Sequence, residues 1–265
     1  MKQTNLFPIS AAFLAALLVL VALFLDLAAP TLAGAKQKFR VATEGEYPPF
    51  NFMDEKGQPA GFDVDVAQAL AKQWGVELEI VAVPWEKIIQ GLLDSKYDAI
   101  IAQMGKTAER EKIIDFTEKY QSSRQSFVGR KGSAADTSPR GLKGKRLATQ
   151  KDTILSQFLQ DRYKVSALKL VDKMDEAYEL LLKGETDLIV SDSFNIYEFL
   201  KSNRGQEFEF VGEPLPADSL SSNAYIAVRK GDVKLREAIN KALRAMQVDG
   251  TYTKINMKYF PFMTY

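Results

Sequence analysis

Asp98–Tyr120 reads DAIIAQMGKTAEREKIIDFTEKY. An apolar run, Ala99 to Ala102, ends there in a small, polar, glycine-containing turn, and Thr107-Ala108-Glu109-Arg110 then begins a helix. Thr107 can accept from the free N–H groups of the first turn, and Glu109 falls where the positive end of a helix favours a carboxylate. Arg110 is thereby held near the C-terminal end of a strand, at the mouth of a helix. A guanidinium fixed in that place offers a fork of donors to a small carboxylate, which a lysine ammonium cannot match.

Outward from this stretch, β-rich and helix-period runs alternate. Phe39 to Thr43, Leu78 to Val83, Tyr97 to Gln103, Lys145 to Gln150, Leu168 to Val171 and Asp187 to Ser191 read as strands. Helical spacing runs from Val64 to Trp74, with Asp63 as its N-cap and Gly75 as its stop, and again over Trp85 to Leu93, Ile154 to Tyr163 and Met174 to Leu182. The alternation implies parallel sheets with helices on both faces. The chain also echoes itself. Arg40-Val41-Ala42-Thr43 recurs as Arg146-Leu147-Ala148-Thr149, and Asp98-Ala99-Ile100-Ile101 recurs as Asp187-Leu188-Ile189-Val190, each time behind a Leu-Leu pair. Generic α/β sequences produce such echoes by chance; the alternative is two similar lobes. Open α/β sheets bind ligands outside the C-terminal ends of their strands. Two lobes facing each other by those edges form a cleft, with Arg110 on one wall and Asp192 on the other, a pairing suited to a zwitterion.

The 265 residues are 46% hydrophobic and 26% charged, with a net charge of +1, so the composition is ordinary and globular. No basic block stands out, which argues against nucleic acid as a partner. There is no histidine and no cysteine. Disulfides, thiolate catalysis, Ser-His triads and the usual zinc sites are therefore excluded. Helix capping and solvent exposure account for the Asp63/Asp65 pair without a metal. At the N-terminus, Lys2, the apolar run Ala11 to Leu25 and the small-x-small sequence Ala33-Gly34-Ala35 form a leader over residues 1–35, cleaved before Lys36. The apolar run is short for the ~20 residues of a spanning helix; a retained anchor is the alternative. Without cysteine the mature protein is not a lipoprotein.

Further signatures are Tyr47-Pro48-Pro49-Phe50 after the first strand, Gly61-Phe62-Asp63-Val64-Asp65, Gly144-Lys145-Arg146 and Gly250-Thr251-Tyr252. In their order and spacing, over Lys38 to Phe260, they resemble the bacterial extracellular solute-binding proteins of family 3, which deliver polar amino acids to ABC transporters. The resemblance implies a two-lobed periplasmic-binding-protein-like α/β fold of type II, with two hinge crossovers and the ligand in the interlobe cleft. Lobe 1 then comprises residues 36–123 plus 223–265, and lobe 2 residues 124–222. By the same resemblance the carboxylate-binding arginine falls on Arg110 and the amino-group-binding aspartate on Asp192. The aromatic clamps fall on Tyr47 and Trp85, and the acid facing the ligand side chain on Glu44. Polar and backbone contacts fall on Gln103 and Gly105 in the first lobe and on Gln150 and Thr153 in the second.

The chain departs from the family pattern in three places. Asp152-Thr153-Ile154 stands where Gly-Thr-Thr is frequent, Gly105 where Ser or Thr is frequent, and Lys119 where Pro is common before Tyr120. The first two bear on side-chain specificity and leave the zwitterion clamp intact. Beyond that clamp the candidate pocket is richer in acceptors than donors, which favours arginine, lysine or ornithine, with glutamine or another neutral polar amino acid as the alternative. A dehydratase or lyase is less favoured: without histidine only Glu44 and Asp192 are obvious candidates for a general acid or base, and an aspartate at position 192 favours amine recognition over chemistry. The expected protein is a periplasmic, monomeric carrier without cofactor or metal, whose partner is a membrane ABC permease.

Overall fold

In the computed structural model, residues 38–133, 136–163, 167–216 and 223–265 are described. The leader expected over residues 1–35 lies outside them. Thirteen strands follow in order among the described residues: β1 (Lys38–Thr43), β2 (Glu46–Tyr47), β3 (Asn51–Met53), β4 (Pro59–Ala60), β5 (Glu77–Ala82), β6 (Ala99–Ile100) and β7 (Ile114–Ser122), then β8 (Gln125–Arg130), β9 (Arg146–Gln150), β10 (Ala167–Val171), β11 (Leu188–Asp192), β12 (Phe208–Val211) and β13 (Asn223–Arg229). They form two five-stranded sheets, ordered β5-β1-β6-β13-β7 and β10-β9-β11-β8-β12, and one small sheet, β2-β3-β4.

The sheets are mixed, not parallel throughout as the alternation alone implied. β1 pairs in parallel with β5 and β6, and β9 with β10 and β11. β13 and β8 run against their neighbours. The reason is the crossing of the chain between sheets. β7 ends at the edge from which β8 starts, so β8 runs away from that edge while β9 and β11 run towards it. β13 makes the return crossing and is reversed for the same reason.

The internal echo has a structural counterpart. Arg40 donates its backbone N–H (3.0 Å) and Nη2 (2.8 Å) to the Asp98 carboxylate. Arg146 makes the same two bonds to Asp187, at 2.8 and 2.6 Å. Each pair joins an arginine of one strand, the third residue of β1 and the first of β9, to the aspartate just before its parallel neighbour, and β5-β1-β6 matches β10-β9-β11. These side chains are partly exposed, so their worth lies in register more than in stability. Stability comes from the cores, where Phe50, Phe62, Tyr120, Tyr252 and Phe260 are fully buried beneath the first sheet, and Val128, Ala148, Ile189 and Ile196 beneath the second. A buried side chain of this size contributes about 1.5–3 kcal/mol.

The helix Phe62–Trp74 ends at Gly75 as expected, in a left-handed cap. Its start differs from the reading of the sequence. The N-cap is Gly61 (φ 115°), and a Cβ there would lie 2.4 Å from the Phe50 carbonyl oxygen. The N–H groups of Phe62 and Asp63 are taken by the carbonyls of Pro49 and Phe50, so no side-chain cap is needed. Asp63 is neither a cap nor a solvated acid. It is 1% exposed and accepts from Asn51, Gln103 and Tyr120. The segment read as one helix from Ile154 to Tyr163 is α-helical over Ile154–Phe158 and widens into a π turn over Leu159–Tyr163. No helix among the described residues is long and apolar enough to cross a membrane.

Candidate functional site

A cavity of about 100 Å³ lies between the C-terminal edges of the two large sheets, and all nine residues singled out from the sequence line it. Arg110 enters from the four-residue helix Ala108–Glu111, whose N-cap Thr107 accepts from the Arg110 N–H at 3.1 Å. Its guanidinium donates to the carbonyls of Gly105 (2.8 Å) and Asp152 (3.0 Å) and packs on the Trp85 ring at 5.3 Å. It forms no ion pair among the described residues. Burial lowers its pKa to about 10, with the Asp152 carboxylate pulling the other way. A buried guanidinium with carbonyl partners alone is a site for an anion.

Asp192 stands at the end of β11 and caps the helix Ser193–Lys201, accepting from the Phe194 N–H at 2.8 Å. Its other oxygen accepts from Ser123 in the first crossover. The carboxylate is buried without a cationic partner among the described residues, and that burial raises its pKa to about 6 against the hydrogen bonds it accepts. Glu44, at the end of β1, accepts from Gln150 of the second sheet. Burial lifts its pKa to about 7, and Glu46 and Glu86 push the same way.

The remaining candidates divide by what they still have to offer. Tyr47 bonds Ser191 Oγ across the cleft at 3.1 Å and stacks on Phe50. Trp85 donates Nε1 to the Asp152 carbonyl at 3.1 Å. Gln150 donates Nε2 to Glu44 and to the Asp172 carbonyl, so its amide hydrogens are engaged. Thr153 spends its hydroxyl proton on the Gln150 carbonyl and accepts from the Ser156 N–H, completing a capping box. Asp152, the residue in place of the family's frequent glycine, has φ 57°. This left-handed conformation is where glycine is unstrained, and it aims at Arg110 and Trp85 the carbonyl they share.

Two departures from the family pattern touch each other. A Cβ on Gly105 would fall 2.3 Å from Ile154 Cδ1, which reaches over from the opposite lobe. Gly105→Ala is therefore expected to weaken ligand binding by about five-fold to a hundred-fold, in line with the about 1–3 kcal/mol of an overpacked contact. Shortening the intruding side chain, as in the double variant Gly105→Ala/Ile154→Ala, is expected to recover most of that loss. Titration calorimetry on both proteins checks this; equal losses in the two would mean that Ile154 is not the obstacle.

The sequence model of the bacterial extracellular solute-binding proteins, family 3, matches residues 39–262. This chain belongs to that family. The family 3 protein is 35% identical over 243 residues to the L-arginine-binding protein of Pseudomonas aeruginosa, covering 90% of this chain and 93% of that one. It superposes on an ancestral arginine-binding protein bound to arginine with a TM-score of 0.79 and 37% identity, covering 85% of this chain and 99% of the other. A structure of an ancestral arginine-binding protein bound to glutamine gives 0.78 and 38%, covering 84% and 97%.

Several cavity residues of this family 3 protein are absent from the sequence reading. Ser123, Ser191 and Asn223 lie beside the Asp192 carboxylate or the crossovers, and Met174 supplies an apolar wall. Ser191 had a signal, being the residue before Asp192 at a strand end. Ser123 had none, because its contact with Asp192 spans 69 residues.

Proposed function

We propose that this protein captures an amino acid with a cationic side chain, arginine, lysine or ornithine, and releases it chemically unchanged to an ABC transporter permease. The charge of the cavity carries the reading. Among the described residues that line the cavity, one guanidinium without an ion pair stands with two buried carboxylates, Asp192 and Glu44, so this lining is net negative by one when all three are ionised. An amino acid with a basic side chain supplies the matching set: carboxylate to Arg110, ammonium to Asp192, side-chain cation to Glu44. Glutamine is the second reading. It is favoured by the position of Glu44, whose carboxyl titrates at about 7 and, when protonated, suits a neutral amide.

Mass spectrometry of small molecules released from protein purified without refolding, followed by calorimetry against arginine, lysine, ornithine and glutamine, tests both. Glu44→Gln is expected to cost arginine about ten-fold or more and glutamine much less, since a charge-assisted bond contributes about 1.5–3 kcal/mol and a neutral one about 1. Equal losses for both ligands, or a wild type that prefers glutamine, would sink the basic-ligand reading.

The reading has a mechanism. Arg110 comes from the segment before the first crossover and Asp192 from the segment after it, which we divide as residues 36–123 plus 223–265 and residues 124–222. One ligand reaches both only when the lobes close, so it favours the closed form. Moving from mostly open to mostly closed takes a differential affinity of about 5.5 kcal/mol. Closure is the signal a permease can read. Export to the periplasm by cleavage before Lys36, and a monomeric state, complete the proposal.

A further inference from the structure

Behind the cavity lies a polar cluster of Asp63, Asn51 and Tyr120 that meets the cavity through Gln103. Asp63 Oδ1 accepts from Tyr120 Oη at 2.7 Å and from Gln103 Nε2 at 2.8 Å, and its Oδ2 accepts from Asn51 Nδ2 at 2.7 Å. Tyr120 Oη accepts in turn from the Gln103 backbone N–H at 3.1 Å. Gln103 has φ 51°, left-handed for a residue with a side chain, and the cluster holds it there. We infer that Asp63 is a positioning residue for ligand selection: together with Tyr120 Oη, to which Gln103 Nε2 also donates at 3.2 Å, it takes the amide hydrogens of Gln103 and fixes that side chain with Oε1 left to the cavity, so that position 103 accepts hydrogen bonds and cannot donate them. This inference deepens the proposed basic-ligand reading and rests on it for its biological use.

With Asp63 ionised, as it is above the pKa of about 7 to which burial lifts it, the orientation is forced. An ionised carboxylate has no proton to give, so all three neighbours must donate to it. Asn51 cannot turn around, because its Oδ1 is held by the Gly45 N–H at 2.9 Å. Gln150 is fixed the same way, with Nε2 spent on Glu44 and Asp172. The cavity thus presents Gln103 Oε1, Gln150 Oε1 and Glu44 as acceptors. A guanidinium carries five donors and no acceptor, and matches such a set. A ligand ending in a carbonyl meets acceptor against acceptor.

Asp63→Asn provides the test because the same constraints dictate its outcome. Asn51 still needs an oxygen opposite its Nδ2, so the new amide nitrogen must face Tyr120 and Gln103. Gln103 then turns over, gives Oε1 to that nitrogen and directs Nε2 into the cavity. The probes are L-arginine and L-citrulline, which differ in having a terminal donor or a terminal carbonyl. Calorimetry at pH 8 keeps Asp63 ionised, since its carboxyl is lifted by burial to about 7. Asp63→Asn is expected to lower the ratio of arginine to citrulline affinity at least ten-fold. Gln103→Met should lower the ratio by itself, and adding Asp63→Asn to Gln103→Met should change it no further. A structural role alone would weaken both ligands together and leave the ratio fixed.

A ligand-independent readout is the Gln103 carboxamide in ¹H–¹⁵N spectra, assigned by its loss in Gln103→Met. Its protons should exchange slowly with water in the wild type and quickly in Asp63→Asn. Fast exchange in the wild type, or an unchanged ratio in either Asp63→Asn or Gln103→Met, overturns the inference. Should Asp63→Asn fail to fold, the wild-type exchange rate and Gln103→Met decide it. A wild-type preference for citrulline over arginine would instead overturn the basic-ligand reading, while the direction of change in the variants still reports on Asp63.

Discussion

Arg110→Ala is expected to abolish useful amino-acid binding. The ligand carboxylate would enter a closed cleft without its partner, and breaking a buried ion pair from one side costs about 3–5 kcal/mol. That corresponds to roughly a hundred- to several-thousand-fold in affinity. Two further losses add to it. Trp85 loses the guanidinium packed on its ring, and the carbonyls of Gly105 and Asp152 lose a shared donor. Arg110→Lys keeps the charge but not the fork, so it should recover only part of the affinity. Calorimetry that places Arg110→Ala within about threefold of the wild type would refute the carboxylate role.

Asp192→Asn should be the second large loss, and it can be read against pH. Asparagine still caps the helix Ser193–Lys201, so the fold is kept. The ammonium of the ligand, however, is left without an anion, which costs about 2–5 kcal/mol. The wild type should show the same dependence on protonation. In the free protein the Asp192 carboxyl titrates at about 6, and that of Glu44 at about 7. Contact with a ligand cation lowers both, so binding expels protons and the affinity rises with pH through this range. Arginine should weaken from pH 8 towards pH 5, by up to about tenfold per pH unit for each proton taken up. Glu44→Gln should remove the portion near pH 7 and keep the portion near pH 6. The stability of the free protein should move the opposite way. Its buried acids bind protons more tightly folded than unfolded, so it loses stability as pH rises from about 4 to 7. An affinity for arginine that is flat between pH 5 and 8 would contradict ionised partners for the two cations.

The elements read from the sequence were legible because each carries its own period and its own start or stop, as at Thr107 and Gly75, whereas strands β7, β8, β12 and β13 and the helices Val233–Val248 and Thr251–Tyr259 were not read. The places of Arg110 and Asp192 were legible too: both stand at the start of a helix on the cavity wall, where geometry is local. What could not be read was set by distance. Asp63 had the local look of a cap, and the backbone carbonyls of Pro49 and Phe50 displaced it from that role, leaving its carboxylate to Gln103 and Tyr120, 40 and 57 residues away. The antiparallel strands β8 and β13 follow from where the chain crosses, which no periodicity records. The contact of Gly105 with Ile154 joins two departures from the family pattern that look independent in one dimension.

The repeated Arg–Asp clasps have a consequence for the symmetry of the cleft. Glu44 follows Arg40-Val41-Ala42-Thr43, and Gln150 follows Arg146-Leu147-Ala148-Thr149, so the two stand at equivalent places of the echo. They are also in contact. A twofold axis relating the two halves of the echo would pass between them, and their contact would then be an isologous one made within a single chain. Two identical residues on such an axis would face each other: glutamates would compete for one proton, and a strictly symmetric cleft would receive either end of an amino acid alike. In the proposed pose Arg110 and Asp192 already tell the head of the ligand from its tail, and the exchange of carboxylate for amide at this pair adds a second asymmetry: a single acid, Glu44, that has no twin to share its proton.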